Sequence, residues 1–214
     1  MKLVDISIEN FSDKLASDSP APGGGSTAAL EGALGASLIG MVASLTIGRK
    51  NYAEFEPLMI DVVKRAEGLR IKMLDIIDRD TEAFNLVSAV FAMPKDTDEQ
   101  KAARSSAMQT ALKACTLTPF EMIDNSLKAL ELAKEIVGKY NTNAASDLGV
   151  AALSLKACAQ GAWLNMLINF GGIHDEAFVA EYKNSGCEFL VRAAELADDI
   201  YDGVLLCLLP EDQD

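Results

Sequence analysis

From Pro57 to Met93 nothing in the chain stops a helix. Proline suits the first helical turn, where its missing N–H has no partner to lose, and the next breaker is Met93-Pro94. A helix of that length, about 55 Å at 1.5 Å per residue, fits only an architecture of long helices laid side by side. The other breakers are spaced in the same way. Ser7 caps a short helix through Ala16, with Ile8, Phe11 and Leu15 at helical spacing. A loop over residues 17–25 leads to a helix capped by Ser26 or Thr27. This helix reaches Thr46 and is broken by Gly48 and Arg49-Lys50-Asn51-Tyr52. Thr97 with Gln100 forms a capping box. Thr118-Pro119-Phe120-Glu121 reads as a second box, with proline at the first position of a further helix ending near Gly138. Residues 141–146 read as a cap for a helix to Phe170, stopped by Gly171-Gly172, and a last helix runs from about Asp175 to Leu209. The nearest strand signal, residues 3–8, is short and isolated. These elements predict an all-α, single-domain helical bundle of about six or seven helices over residues 1–214.

The helix after the first loop is the most apolar. Stepping by four from Ala28 gives Gly32, Ala36, Gly40, Ser44 and Gly48, a small-residue face that another helix can approach closely. The partner helix can belong to the same chain or to a second subunit. Residues 32–48 barely reach membrane-spanning length and are diluted by Gly, Ala, Ser and Thr, so a soluble helix is expected. The formal charge is −13, which argues against nucleic acid and against an anionic membrane surface as partners. An anionic substrate would need a local basic patch within this acidic shell. The four cysteines, Cys115, Cys158, Cys187 and Cys207, show no metal-type spacing. They predict reduced, mostly buried thiols in a cytoplasmic protein, and the N-terminus shows no signal-peptide pattern.

Three stretches offer chemistry. In the first, Pro20 and Pro22 stiffen the approach to Gly23, Gly24, Gly25 and Ser26, where bare N–H groups at a helix N-terminus can cradle an anion. The same stretch can equally be a tight turn that packing requires. It is not a P-loop, since GK[ST] is missing. In the second, Arg79-Asp80-Thr81-Glu82-Ala83-Phe84-Asn85, Asp80 is a candidate acid or base. The third is one apolar helix with Asn143 and Asp147 four apart at its start and Asn165 and Asn169 four apart at its end. Such polar groups cap the helix, join helices, or face a ligand. Lys50, beside Arg49, is the best local cation, or a helix C-cap. His174 is the sole histidine and is expected at the surface, so neither a Ser-His-Asp triad nor a histidine-rich metal site can form.

The stretches "PAPGGGSTAALEGALGASLIGMVASLTIGRKNY", "RDTEAFN", "NTNAASDLGVAALSLKA" and "NMLINF" resemble, in the same order, the cyclodeaminase/cyclohydrolase family. This family comprises the C-terminal domain of formiminotransferase-cyclodeaminase and its free-standing bacterial relatives. The resemblance covers essentially the whole chain and lacks the formiminotransferase half. It implies a dimeric, metal-free, all-helical enzyme acting on a tetrahydrofolate derivative. The free-standing format favours a methenyltetrahydrofolate cyclohydrolase. The alternatives are a formiminotetrahydrofolate cyclodeaminase, a lyase releasing ammonia, or a folate-binding helical protein without activity. Under this resemblance Asp147 is the first choice for acid/base catalysis, with Asp80 second and Lys50 as a proton donor or carboxylate ligand. Pro22, Gly23, Gly24, Gly25, Ser26, Asn143, Ser146, Asn165 and Asn169 are assigned to substrate binding.

Overall fold

The computed structural model describes residues 2–209; the two ends of the expected domain, Met1 and residues 210–214, lie outside the described residues. Six α-helices form the bundle: α1 Ile8–Leu15, α2 Gly24–Thr46, α3 Glu56–Phe91, α4 Asp98–Ile136, α5 Ala145–Phe170 and α6 Glu176–Leu208. Three short segments of 3-10 helix, Leu3–Asp5, Lys50–Phe55 and Thr142–Ala144, complete it, and there is no strand among the described residues. α2 is the hub, packed on α3, α5 and α4, and α6 closes the outer side over α4 and α5.

Most boundaries follow from local chemistry. The Ser7 hydroxyl accepts from the Asn10 N–H at the start of α1. The Thr97–Gln100 capping box is formed in both directions, Pro57 sits in the first turn of α3, and the Asp175 carboxylate caps α6 by accepting from the Phe178 N–H. Of the three apolar residues expected to anchor α1, only Phe11 is buried, while Ile8 stays 86% exposed.

Three expectations change. Thr118-Pro119 does not open a helix: α4 runs unbroken through it, with Pro119 buried inside. The box residues meet the local rule for a start, but packing on α3, α5 and α6 carries the helix across. α2 begins one turn earlier than Ser26 or Thr27, with Gly23 as its cap. The thiols are not mostly buried: Cys158 is, Cys115 is partly so, and Cys187 and Cys207 are exposed on the outer helix α6.

The small-residue face of α2 divides in two. Its first half packs inside the chain. A Cβ on Gly32 would stand 2.8 Å from the Cys158 sulfur, and one on Gly35 would stand 2.7 Å from Leu155 Cγ and 3.1 Å from the Ala151 carbonyl. Its second half borders a groove between α2 and α3, with Ser37, Gly40, Met41 and Ser44 on one side and Val63, Ala66, Glu67 and Arg70 on the other. α2 is long and apolar enough to cross a membrane, yet half of its most apolar stretch is buried within the bundle. Gly35→Ala is expected to destabilise the fold by about 1–3 kcal/mol through overpacking. Gly68→Ala, on the open surface of α3 with nothing near its Cβ, should stabilise it by up to about 1 kcal/mol through helix propensity. Denaturant unfolding of both variants reads the two signs.

Candidate active-site cleft

The loop before α2, the middle of α3, Cys115 of α4 and the end of α5 enclose a cleft of about 320 Å³. Gly23, Gly24 and Gly25 form one wall, Asp80, Thr81 and Phe84 another, and Asn165 and Asn169 a third. The first two motifs and the end of the third therefore meet, although up to 146 residues of chain separate them.

Asp80 is the centre of the cleft. Its carboxylate rests on the first turn of α2, so close that a Cβ on Gly25 would fall 2.1 Å from Asp80 Oδ1. No side chain can be added there without moving the acid. The Ser26 hydroxyl, itself fully buried, donates to Asp80 Oδ2 at 2.9 Å and lies 3.3 Å from the Thr81 hydroxyl. Ser26 thus acts on Asp80 and does not face the cleft, and Pro22 is likewise buried behind the wall. Burial pushes the Asp80 carboxyl above its usual range, with the Ser26 hydrogen bonds opposing this. The neighbouring Arg79 does not compensate. It ion-pairs instead with Asp75 and with Glu121 of α4, each at 2.7 Å. Among the described residues, no lysine, arginine or histidine lines the cleft. Burial, with the Asp80 charge adding to it, raises the Cys115 thiol to about 11, so Cys115 presents an uncharged S–H.

The two asparagines are held by their amide groups. Asn165 Nδ2 donates to the Gly161 carbonyl at 2.8 Å. Asn169 Nδ2 donates to the Asn165 carbonyl at 2.7 Å and to the Cys115 carbonyl at 2.9 Å. The Cys115 carbonyl is available because Pro119, four residues on, has no N–H to bond it. With their nitrogens so engaged, Asn165 and Asn169 have carbonyl oxygens left to accept hydrogen bonds. Sequence reasoning missed the Pro119–Cys115–Asn169 link, although a proline four residues after a carbonyl was a readable signal.

The other candidates are elsewhere. Asp147 lies 18 residues before Asn165 on the same helix, about 27 Å away at 1.5 Å per residue. Asn143, Ser146 and Lys50 share its end of the bundle and are exposed, and Asp147 is partly exposed. This end is stitched by hydrogen bonds. The Asn141 N–H donates to Thr46 Oγ1 at 2.9 Å, its amide group donates to the Leu45 carbonyl, and the Thr142 N–H donates to the Tyr52 hydroxyl. Within one chain, the favoured Asp147 does not reach the cleft that holds Asp80. Sequence spacing places them on elements but not at which end each motif falls.

A helical bundle whose cleft presents one carboxylate, amide carbonyls and no cation belongs to a class suited to flat, donor-rich or cationic ligands. The sequence pattern of formiminotransferase-cyclodeaminase matches residues 7–186, and the chain belongs to that family. It is 42% identical over 197 residues to a methenyltetrahydrofolate cyclohydrolase of Methylorubrum extorquens, covering 92% of this chain and 95% of that one. It is 30% identical over 195 residues to the formimidoyltransferase-cyclodeaminase of Sus scrofa, covering 91% of this chain but only 36% of that longer protein. The fold matches the crystal structure of a formiminotetrahydrofolate cyclodeaminase from Thermotoga maritima with a TM-score of 0.80. That match has 29% identity and covers 97% of this chain and 98% of the other.

The raised pKa has a consequence for stability. A carboxyl whose folded pKa is raised holds its proton more readily folded than unfolded. The stability it contributes is complete below the ordinary carboxylate pKa and is lost as pH rises through the folded value. Asp80→Asn is therefore expected to raise Tm at neutral pH, with an advantage that shrinks as pH falls below the carboxylate range. Melting curves of both proteins across that range test this; an offset independent of pH would contradict it.

Proposed function

We propose that this protein is a methenyltetrahydrofolate cyclohydrolase, with Asp80 as its acid/base. The observation that carries the reading is the partly buried Asp80 carboxylate in a cleft without cations. The methenyl substrate carries an amidinium cation, which such a carboxylate stabilises. Water attacks the carbon that bridges N5 and N10, and Asp80 takes its proton. As the tetrahedral intermediate collapses, Asp80 returns a proton to N5, the carbon–N5 bond breaks, and the hydroxyl proton leaves to solvent. The product is 10-formyltetrahydrofolate, with one proton released overall. A carboxyl whose pKa burial raises suits a group that must both accept and donate. The Asn165 and Asn169 carbonyls accept from the N–H edge of the pterin. Phe84 and Ile168, exposed apolar residues of the cleft, cover a ring face. No metal takes part in this scheme; among the described residues no three metal-ligating side chains gather. We place the reaction in the cytoplasm, in keeping with four free thiols.

A second reading has its own support in the likeness to cyclodeaminases: the same carboxylate could close 5-formiminotetrahydrofolate with loss of ammonia. The assay separates the two. Purified protein should accelerate the loss of 5,10-methenyltetrahydrofolate absorbance above the uncatalysed rate, and Asp80→Asn should cost at least about 100-fold in kcat. Ammonia release from 5-formiminotetrahydrofolate alone would favour the cyclodeaminase.

The working form is a homodimer. The open half of the α2 face, with Leu34, Met41 and Leu45 exposed beside Ser37, Gly40 and Ser44, suits a second copy of α2. With a two-fold axis perpendicular to α2 at this face, the two helices run antiparallel. It brings the cleft end of one α2 beside the Lys50–Phe55 turn of the other. The end of the second copy that carries Lys50, Asn143, Ser146 and Asp147 then completes the cleft. Mixed Asp80→Asn and Asp147→Asn proteins, each weak alone, should recover turnover after subunit exchange. A mixture as weak as its parts would assign Asp147 no role across the interface.

A further inference from the structure

The two oxygens of the Asp80 carboxylate have different surroundings. Oδ2 accepts from the Ser26 hydroxyl at 2.9 Å. Oδ1 rests against Gly25, a residue of the cleft wall, and accepts from no side chain among the described residues. Nor is Oδ1 one of the side-chain oxygens sealed from solvent without a partner, so it stays open to the cleft.

The Ser26 hydroxyl has one hydrogen and three acceptors in reach: Asp80 Oδ2, the Ile77 carbonyl at 3.3 Å and the Thr81 hydroxyl at 3.3 Å. The carboxylate is the nearest and the only one that carries charge, so it takes the hydrogen. In the Ser26–Thr81 pair Thr81 is then the donor. Thr81 stands half-buried in the cleft wall, while Ser26 is fully buried. A directed chain of hydroxyls thus runs from the cleft, through the first turn of α2, to the back of the acid. Little else acts on that acid. Among the described residues lining the cleft, the Cys115 thiol of α4 is the only other titratable group, and it stays uncharged. The loop and first turn of α2 and the end of α5 present glycines and amides. Arg79, next to Asp80 on α3, is paired with Asp75 and Glu121.

The Cβ–Cγ torsion of aspartate is soft, so an untethered carboxylate presents either oxygen to a ligand. The bond from Ser26 fixes that torsion. It also favours the ionised form against burial, which keeps a base ready for the proton of water. We infer that Ser26 is a positioning residue for proton transfer by Asp80: its hydroxyl, polarised by Thr81, holds Oδ2 and leaves Oδ1 as the oxygen that takes the proton from water and returns it to N5. The inference rests on the cyclohydrolase reading of the cleft.

The test is the pH dependence of turnover on 5,10-methenyltetrahydrofolate, corrected for the uncatalysed rate. Ser26→Ala should lower kcat about tenfold with KM little changed, because Ser26 meets the acid and not the substrate. The ionised carboxylate loses a donor in this variant, so its pKa rises. The acidic limb of the kcat profile should therefore stand about one pH unit higher than in the wild type. Ser26→Thr, which keeps the hydroxyl, should restore both values. Thr81→Val, at a half-buried position, should move the limb the same way by a smaller step, and it carries the test if Ser26→Ala does not fold. Carbon-13 NMR of the aspartate carboxyls, with Asp80 assigned by the signal missing in Asp80→Asn, reads the same shift without substrate. A lower kcat with the limb and the carboxyl titration unmoved, or a rise in KM alone, overturns the positioning role even if the enzyme is active. A shifted Asp80 titration in a protein without methenyl turnover supports the link from Ser26 to the acid while removing the cyclohydrolase reading.

Discussion

The carboxylate of Asp80 occupies the space where residue 25 would carry its Cβ, and it takes the hydroxyl hydrogen of the next residue, Ser26. Much of the molecule is arranged around this contact. It requires glycine at position 25. It requires α2 to start against the middle of α3, which the small residues of α2 permit by letting α5 approach its backbone. It also keeps a partly buried acid within the cleft, held by the Ser26 hydroxyl. The three consecutive glycines before α2 are thus not a flexible tether. They are a wall that leaves room for a charge.

A second device depends on a broken rule. Proline inside a helix leaves a carbonyl without its partner and ordinarily weakens the helix. Here Pro119 is buried in α4, and the Cys115 carbonyl it leaves is taken by Asn169 from α5. The same bond fixes Asn169 and joins two helices at the cleft.

The helices were largely legible, because caps, breakers and apolar spacing are local signals. Ser7, Thr97 with Gln100, Pro57 and Asp175 all act where the sequence reads them. The misreadings were those in which a distant contact outweighed a local rule. Thr118-Pro119 has the form of a helix start but lies within one, since four neighbouring helices pack on α4. Ser26 has the form of a cap but spends its hydroxyl on an acid 54 residues away. The site was half legible. Asp80, the glycines, Asn165 and Asn169 were all singled out and do meet. Asp147, Asn143, Ser146 and Lys50 were singled out with them and lie at the other end of the bundle. His174 is exposed, as expected, while the clasp of its turn by Gln109 of α4 was not read from the sequence.

The sequence by itself determined the all-α class, most helix ends, the family and the set of residues capable of proton transfer or hydrogen bonding. These rest on short-range stereochemistry and on motifs that survive as strings. Only the tertiary structure decided which acid is buried, which asparagine nitrogens are engaged and which half of the α2 face is covered. Each of those depends on the approach of segments far apart in the chain. Desolvation and carbonyl partnership exist only once those segments are packed together.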